Sequence, residues 1–182
     1  MTKIFSRLAG VCLTGALMFA SITAPPVQAS SQAAAAPSST TENNRRVVAA
    51  AFDRWAEGRG DFFDTVLSPD VVWTIQGSGP SAGTFRGRDV FVAQAVTPFS
   101  ARLRAPVRPV SHRVWADGDD VIVQWVGETT AGDGAPYRNT YAWILRLENG
   151  RAVEVNAFLD LTPYDDVLRR VPLPPSAPEG QP

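Results

Sequence analysis

Few residues in this chain can do chemistry, and what is missing narrows them further. The only lysine is Lys3, the only cysteine Cys12, and the only methionines are Met1 and Met18. Everything after them offers carboxylates, hydroxyls, amides, arginines, many aromatics and one imidazole, His112. That set excludes, beyond residue 18, a disulfide framework, a cysteine-ligated zinc, a thiol nucleophile, a lysine Schiff base and a Walker-type phosphate lysine. It implies no cofactor. A carboxylate is left as the reactive group to look for. In an apolar pocket, desolvation raises its pKa toward neutrality, where it serves as general acid or base. Asp160, closing the last strand-like run, is the first candidate; the alternative is that it caps the Thr162-to-Arg169 turn or pairs with an arginine. Glu128 is its rival if that strand face points inward. His112 could relay protons near a pocket, or stand as a partly exposed structural residue. Ser111 and His112 do not start a triad, because adjacent strand residues point to opposite faces.

The elements that must position these groups follow from periodicity. Val47, Val48, Ala51, Phe52 and Trp55 recur at helical spacing from Asn43 to Gly58, with Asn43 or Asn44 as the cap. A short second helix runs from Gly60-Asp61 to Leu67. Ser68-Pro69-Asp70 reads as a turn, Val71 to Ile75 as a strand, Gly77 to Gly83 as a loop, and Arg88 to Val96 as a third helix. Four strands then follow: Val107–Ala116, Val121–Thr130, Tyr137–Glu148 and Ala152–Asp160, separated by glycine-bearing turns, of which Asn149-Gly150 is the clearest hairpin signal. Helices first and strands after imply an α+β class, with three N-terminal helices on one face of a curved antiparallel sheet. On the third of those four strands Tyr137, Asn139, Tyr141, Trp143, Leu145 and Leu147 alternate with a set holding Arg138 and Arg146, so the first set faces inward. Val110, His112 and Val114 are expected on one face of the first. With Trp73 and Trp125, the inward set marks an aromatic interior. An inward Asn139 needs partners: either it ties down a strand, or it bonds a ligand carbonyl or hydroxyl.

Lys3 and Arg7, the apolar run Leu8 to Ile22 and Val27-Gln28-Ala29 read as a cleaved export signal covering residues 1–29, which implies a secreted or periplasmic protein. The apolar run, about fifteen residues, is short of the roughly twenty that span a bilayer, so no membrane association is expected after cleavage. Residues 30–42, poor in large apolar side chains, read as a disordered tether, 43–171 as one domain, and 172–182 as a proline-rich tail. Cleavage leaves 15 arginines against 18 acids, a net charge of −3, and nucleic acid is not an expected partner.

Asp70-Val71-Val72-Trp73, the run Gly83 to Arg88, Tyr137 to Trp143 ending in the Asn149-Gly150 turn, Val153-Glu154-Val155 and Phe158-Leu159-Asp160 resemble SnoaL-like domains of the nuclear-transport-factor-2-like superfamily. The likeness covers about Asn43 to Val167. It implies a cone-shaped sheet and helices enclosing a pocket for a small hydrophobic molecule, with Asn139, Tyr141, Trp73, Trp125, Trp143 and His112 around it. It also implies pairing of two copies through the outer sheet face, and an acid/base role for Asp160, as for the closing Asp of limonene epoxide hydrolase. That enzyme's Arg and second Asp find no counterpart on Val121–Val126, and the oxyanion partners of ketosteroid isomerases cannot be placed. A polyketide-cyclase type of reaction needs only a carboxylate and a shaped pocket. The rival is a non-catalytic binding or dimerisation module.

Overall fold

A computed structural model describes residues 38–173. The expected export segment, residues 30–37 of the expected tether and 174–182 of the expected tail lie outside them. Helix α1 (Ser39–Ala56) starts four residues before Asn43. Ser38 caps it, its Oγ accepting from the Thr41 amide at 3.1 Å, and Glu42 in the first turn holds Arg45 at 2.7 and 2.9 Å. Residues 39–42 are therefore helix and not tether; capping chemistry, not apolar burial, sets that boundary. The other end is closed by Gly58 at φ +72°. The amides of Gly58 and Arg59 return to the carbonyls of Trp55 and Arg54 at 2.9 and 2.7 Å, a left-handed cap that glycine adopts without Cβ strain.

Helix α2 (Phe62–Val66) is capped by Asp61, which accepts from Phe63 N at 2.9 Å. Strand β1 (Leu67–Ile75) follows at once. Ser68-Pro69-Asp70 is not a turn but the irregular stretch of this strand, between residues in register with β6. Strand β2 (Gly83–Arg86) forms a hairpin with β1. It is short and mostly exposed, so it carries no alternation by which sequence could reveal it. The third helical region outruns its expected end: α3 (Arg88–Phe91), a π-helical turn (Val92–Val96) and α4 (Thr97–Ser100) are continuous through Pro98. Proline has no N–H to give an i−4 carbonyl; the wider turn, with Thr97 N reaching Val92 O, accommodates it.

Strands β3 (Arg108–Asp117), β4 (Asp120–Thr130), β5 (Pro136–Glu148) and β6 (Arg151–Leu159) form the expected antiparallel meander. Asn149 and Gly150, at φ +51° and +76°, make the primed two-residue turn between the last two. The sheet order is β2-β1-β6-β5-β4-β3. β1 lies parallel to β6, so the sheet is mixed and not antiparallel throughout. Helix α5 (Leu161–Arg170) leaves β6 directly, where only a turn was expected. The α+β class holds, with a sixth strand and a C-terminal helix added.

Burial follows the alternation. On β5, Tyr137, Asn139, Tyr141, Trp143, Leu145 and Leu147 are all buried. Tyr141, Trp143, Leu145 and Leu147 pack with Val121, Val123, Val155 and the fully buried Val48 and Phe52 of α1, where an enclosed Phe contributes roughly 1.5–3 kcal/mol. β3 departs from expectation at one point. A bulge between Pro109 and Ser111 turns Val110 to solvent, 52 % exposed, away from the half-buried His112 and Val114. A second cluster, Phe99, Ala131, Tyr137, Tyr164, Val167 and Val171, fastens α4 and α5 to the end of the sheet.

Candidate functional site

Between the inner face of the sheet and the helices lies a cavity of about 580 Å³. Its sheet wall is Trp73 and Ile75 of β1, Trp125 of β4, Tyr141 and Trp143 of β5 and Ala157 of β6; Trp55, Phe62, Phe63, Phe91, Phe99 and Tyr164 close it from the helices. Trp143 is the centre of the box. Trp73 and Trp125 stand nearly perpendicular to it, at 81° and 76°, with ring centroids 5.0 and 4.9 Å away. Each is backed by a stacked partner: Phe91 on Trp73 at 4.2 Å and Tyr141 on Trp125 at 3.9 Å. Edge-to-face and offset pairs of this kind add about 0.5–1.5 kcal/mol each beyond their burial, so the wall is rigid. The indole N–H groups of Trp73 and Trp125 are buried without an acceptor. Gly127 makes the Trp125–Tyr141 stack possible: a Cβ there would sit 2.7 Å from the Trp125 ring and 3.1 Å from that of Tyr141.

The polar groups of the cavity fall into two zones. At the rim, Asp61, Asp64 and Asp89 are exposed. Arg88 stands among them, its guanidinium 3.1 Å from the carboxylates of both Asp64 and Asp89. In the buried part the polar groups are the indole N–H groups of Trp73 and Trp125 and the phenols of Tyr141 and Tyr164, with Tyr137 just behind the lining. The hydroxyls of Tyr141 and Tyr137 share a hydrogen at 2.7 Å. Tyr164 donates to the Ala95 carbonyl at 3.1 Å. Burial pushes all three phenols above their ordinary pKa, and they stay neutral hydroxyls well past physiological pH.

Of the residues singled out from sequence, Trp73, Trp125, Tyr141 and Trp143 come together in this wall; Asp160, Asn139, His112 and Glu128 do not. Asp160 is exposed and outside the cavity lining. Its carboxylate accepts from Thr162 N at 2.9 Å and caps α5. This corrects its expected place as a carboxylate inside the pocket, because the chain turns outward into α5 as β6 ends. Asn139 is buried, 4 % exposed, but its amide is used up within the protein. Nδ2 donates to the Asp160 carbonyl at 2.7 Å and to the Tyr137 hydroxyl at 3.0 Å, and Oδ1 accepts from Asp160 N at 3.2 Å. It is a latch between β5 and the β6–α5 corner, not a group presented to a ligand. His112 lies against α1, with Nε2 3.2 Å from Asp53 and its ring 5.5 Å from Phe52, also outside the lining. Glu128 faces outward and pairs with Arg138 across the strands. Sequence reading missed the helical half of the box. Trp55, Phe62, Phe63 and Phe91 were visible as apolar stripes, a signal that does not separate a core contact from a cavity wall.

The model of the SnoaL-like domain matches residues 48–155, more than half of the chain. No curated protein matches the sequence. Among solved structures, the fold is similar to a nuclear-transport-factor-2-like protein from Burkholderia xenovorans LB400, 17 % identical with TM-score 0.54, covering 70 % of this chain and 97 % of that one. It is also similar to a protein with a cystatin-like fold from Xanthomonas campestris, 23 % identical with TM-score 0.57, covering 69 % and 97 %. A third likeness is to TerC co-crystallised with polyporic acid, 17 % identical with TM-score 0.57, covering 69 % and 98 %.

Proposed function

This chain belongs to the SnoaL-like domain family, and from that premise we propose that it is a non-catalytic binding domain holding one small hydrophobic molecule in its aromatic cavity. One observation carries the reading: the buried wall of the cavity is aromatic and aliphatic and contains neither carboxylate nor imidazole. Acid/base catalysis needs a titrating group within hydrogen-bond reach of the reacting atom. Asp160, the carboxylate favoured for that role, is engaged as a helix cap in solvent. A cavity of this size with few convergent polar groups is the ordinary form of a small-molecule site. That TerC, a protein of similar fold, was crystallised with polyporic acid is in keeping with an organic ligand.

Native mass spectrometry of the protein recovered from its producing cells should show one organic molecule per chain. Released and returned to the protein in excess, that molecule should be recovered unchanged, and Asp160→Asn should bind it equally well. A chemical conversion that Asp160→Asn abolishes would overturn the binding reading in favour of a cyclase, isomerase or hydrolase. In the same proposal the protein is exported, its mature N-terminus falling at Ser30. Two copies pair through the outer sheet face, where Trp115, Ile122, Ile144 and Phe158 are each more than a third exposed. Trp115, Ile122 and Ile144 are cross-strand neighbours, a row that monomers seldom leave open.

A further inference from the structure

The buried wall of the cavity holds more hydrogen-bond donors than the protein satisfies. Trp73 and Trp125, each 2 % exposed, both line it, and neither indole N–H has an acceptor. A third donor follows from counting hydrogens. Tyr137 and Tyr141 carry one hydroxyl hydrogen each, and only one of the pair closes the 2.7 Å bond between their oxygens. The other neighbour of the Tyr137 oxygen is Asn139 Nδ2, itself a donor, so the second hydrogen meets no acceptor among the described residues. The two indoles belong to strands on opposite sides of β5, and both reach Trp143, with ring centroids 5.0 and 4.9 Å from its own.

Buried donors without partners are rare, because each forfeits the hydrogen bond it would make to water. An organic molecule that fills the cavity excludes water from these groups and must bring acceptors of its own. From this excess of donors, and resting on the reading of the cavity as a ligand site, we infer that the ligand is an uncharged apolar molecule bearing carbonyl oxygens, selected by the indole N–H groups of Trp73 and Trp125. A carbonyl oxygen accepts on two lone pairs and needs no hydrogen-bond acceptor in return. That suits a buried wall with unmet donors and with neither carboxylate nor imidazole to receive one. A cation leaves the indoles unmet. An anion is buried without a counter-charge, since the lining's single base, Arg88, stands at the rim between Asp64 and Asp89. A plain hydrocarbon strands all three donors.

The inference is tested with two probes of one shape, α-tetralone and tetralin, which differ by a carbonyl in place of a methylene, titrated calorimetrically into the full-length protein. Transfer out of water alone favours tetralin, because the carbonyl must give up its hydration. A hydrogen bond from an indole should reverse that order and make the ketone at least about fivefold tighter. Trp73→Phe and Trp125→Phe keep an aromatic ring and remove the N–H. At least one of them should abolish the preference and move the infrared carbonyl stretch of the bound ketone up toward its value in dry hydrocarbon. That stretch is read on folded, loaded protein, so lost stability cannot imitate the result. Equal or tighter binding of tetralin to the parent, or a ketone preference that survives in both variants, overturns the inference and leaves the pocket reading intact. Binding of neither probe overturns both.

Discussion

Replacing Asn139 with alanine separates a latch from a ligand group. The substitution removes three hydrogen bonds, to the carbonyl and amide of Asp160 at 2.7 and 3.2 Å and to the Tyr137 hydroxyl at 3.0 Å. Net hydrogen bonds contribute about 1 kcal/mol each, so the loss is about 3 kcal/mol. It rises toward about 5 kcal/mol if water cannot reach the backbone groups of Asp160 left behind. Asn139→Asp is at least as damaging, because a carboxylate oxygen in place of Nδ2 faces the Asp160 carbonyl and cannot donate. In a domain of this size 3 kcal/mol corresponds to a fall in Tm of roughly 10 °C. Urea unfolding followed by tryptophan fluorescence measures the change as a lower midpoint at constant slope. Well below the new Tm, the variant should hold as much ligand per folded chain as the parent. A stability loss below about 1 kcal/mol combined with lost ligand binding would refute the latch and return Asn139 to the pocket.

Three further outcomes are expected. Gly127→Ala places a methyl 2.7 Å from both the Trp125 ring and Val107, costing about 1–3 kcal/mol and disturbing the Trp125–Tyr141 stack; near-ultraviolet circular dichroism and the urea midpoint report both, and an unchanged pair would show that the wall is soft. The chain's three tyrosines are Tyr137, Tyr141 and Tyr164, and burial raises the pKa of each. The unfolded chain therefore releases their protons first: their contribution is intact below pH ~10 and is lost above it at up to about 4 kcal/mol per pH unit. Tyrosinate absorbance should appear together with unfolding in one step, and an earlier, separate titration would contradict the burial. Ile144→Glu on the outer sheet face should convert the proposed dimer to monomer in light scattering without lowering Tm more than the loss of the partner explains.

The fold was legible wherever a local signal coincides with a tertiary one. The alternation along β5 announces its buried face because one arginine on the wrong side would be prohibitive, and Asn149-Gly150 fixes the turn because both residues tolerate positive φ. The misses have the opposite character. β2 is four residues with one apolar side chain, Phe85, too few to show an alternation, and the glycine-rich stretch before it hides its hairpin with β1. The bulge at Val110 inserts one residue and reverses the facing of everything before it, although the composition of β3 does not change. The first turn of α1 is made by Ser38, Thr41 and Glu42, residue types that look like tether until their hydrogen bonds are seen.

The two readings left open for Asp160, of which the structure shows the cap, show why a site is harder to read than a fold. An aspartate between a strand and a helix has two uses that its neighbours in sequence do not distinguish. It can end a strand inside a cone, where desolvation makes it a base, or it can begin a helix, where its carboxylate meets the free amides of the first turn. The deciding fact is which way the chain turns after Leu159. That turn is set by Tyr164, Val167 and Val171 packing on Phe99, Ala131 and Tyr137, contacts made with residues 27 or more positions away. The same packing brings Tyr164 to the cavity wall and lets Asn139 close on the backbone of Asp160. The corner that takes the carboxylate out of the pocket is thus the one that completes the pocket's aromatic enclosure, and an inward-turned Asp160 would require α5, and with it Tyr164, to leave.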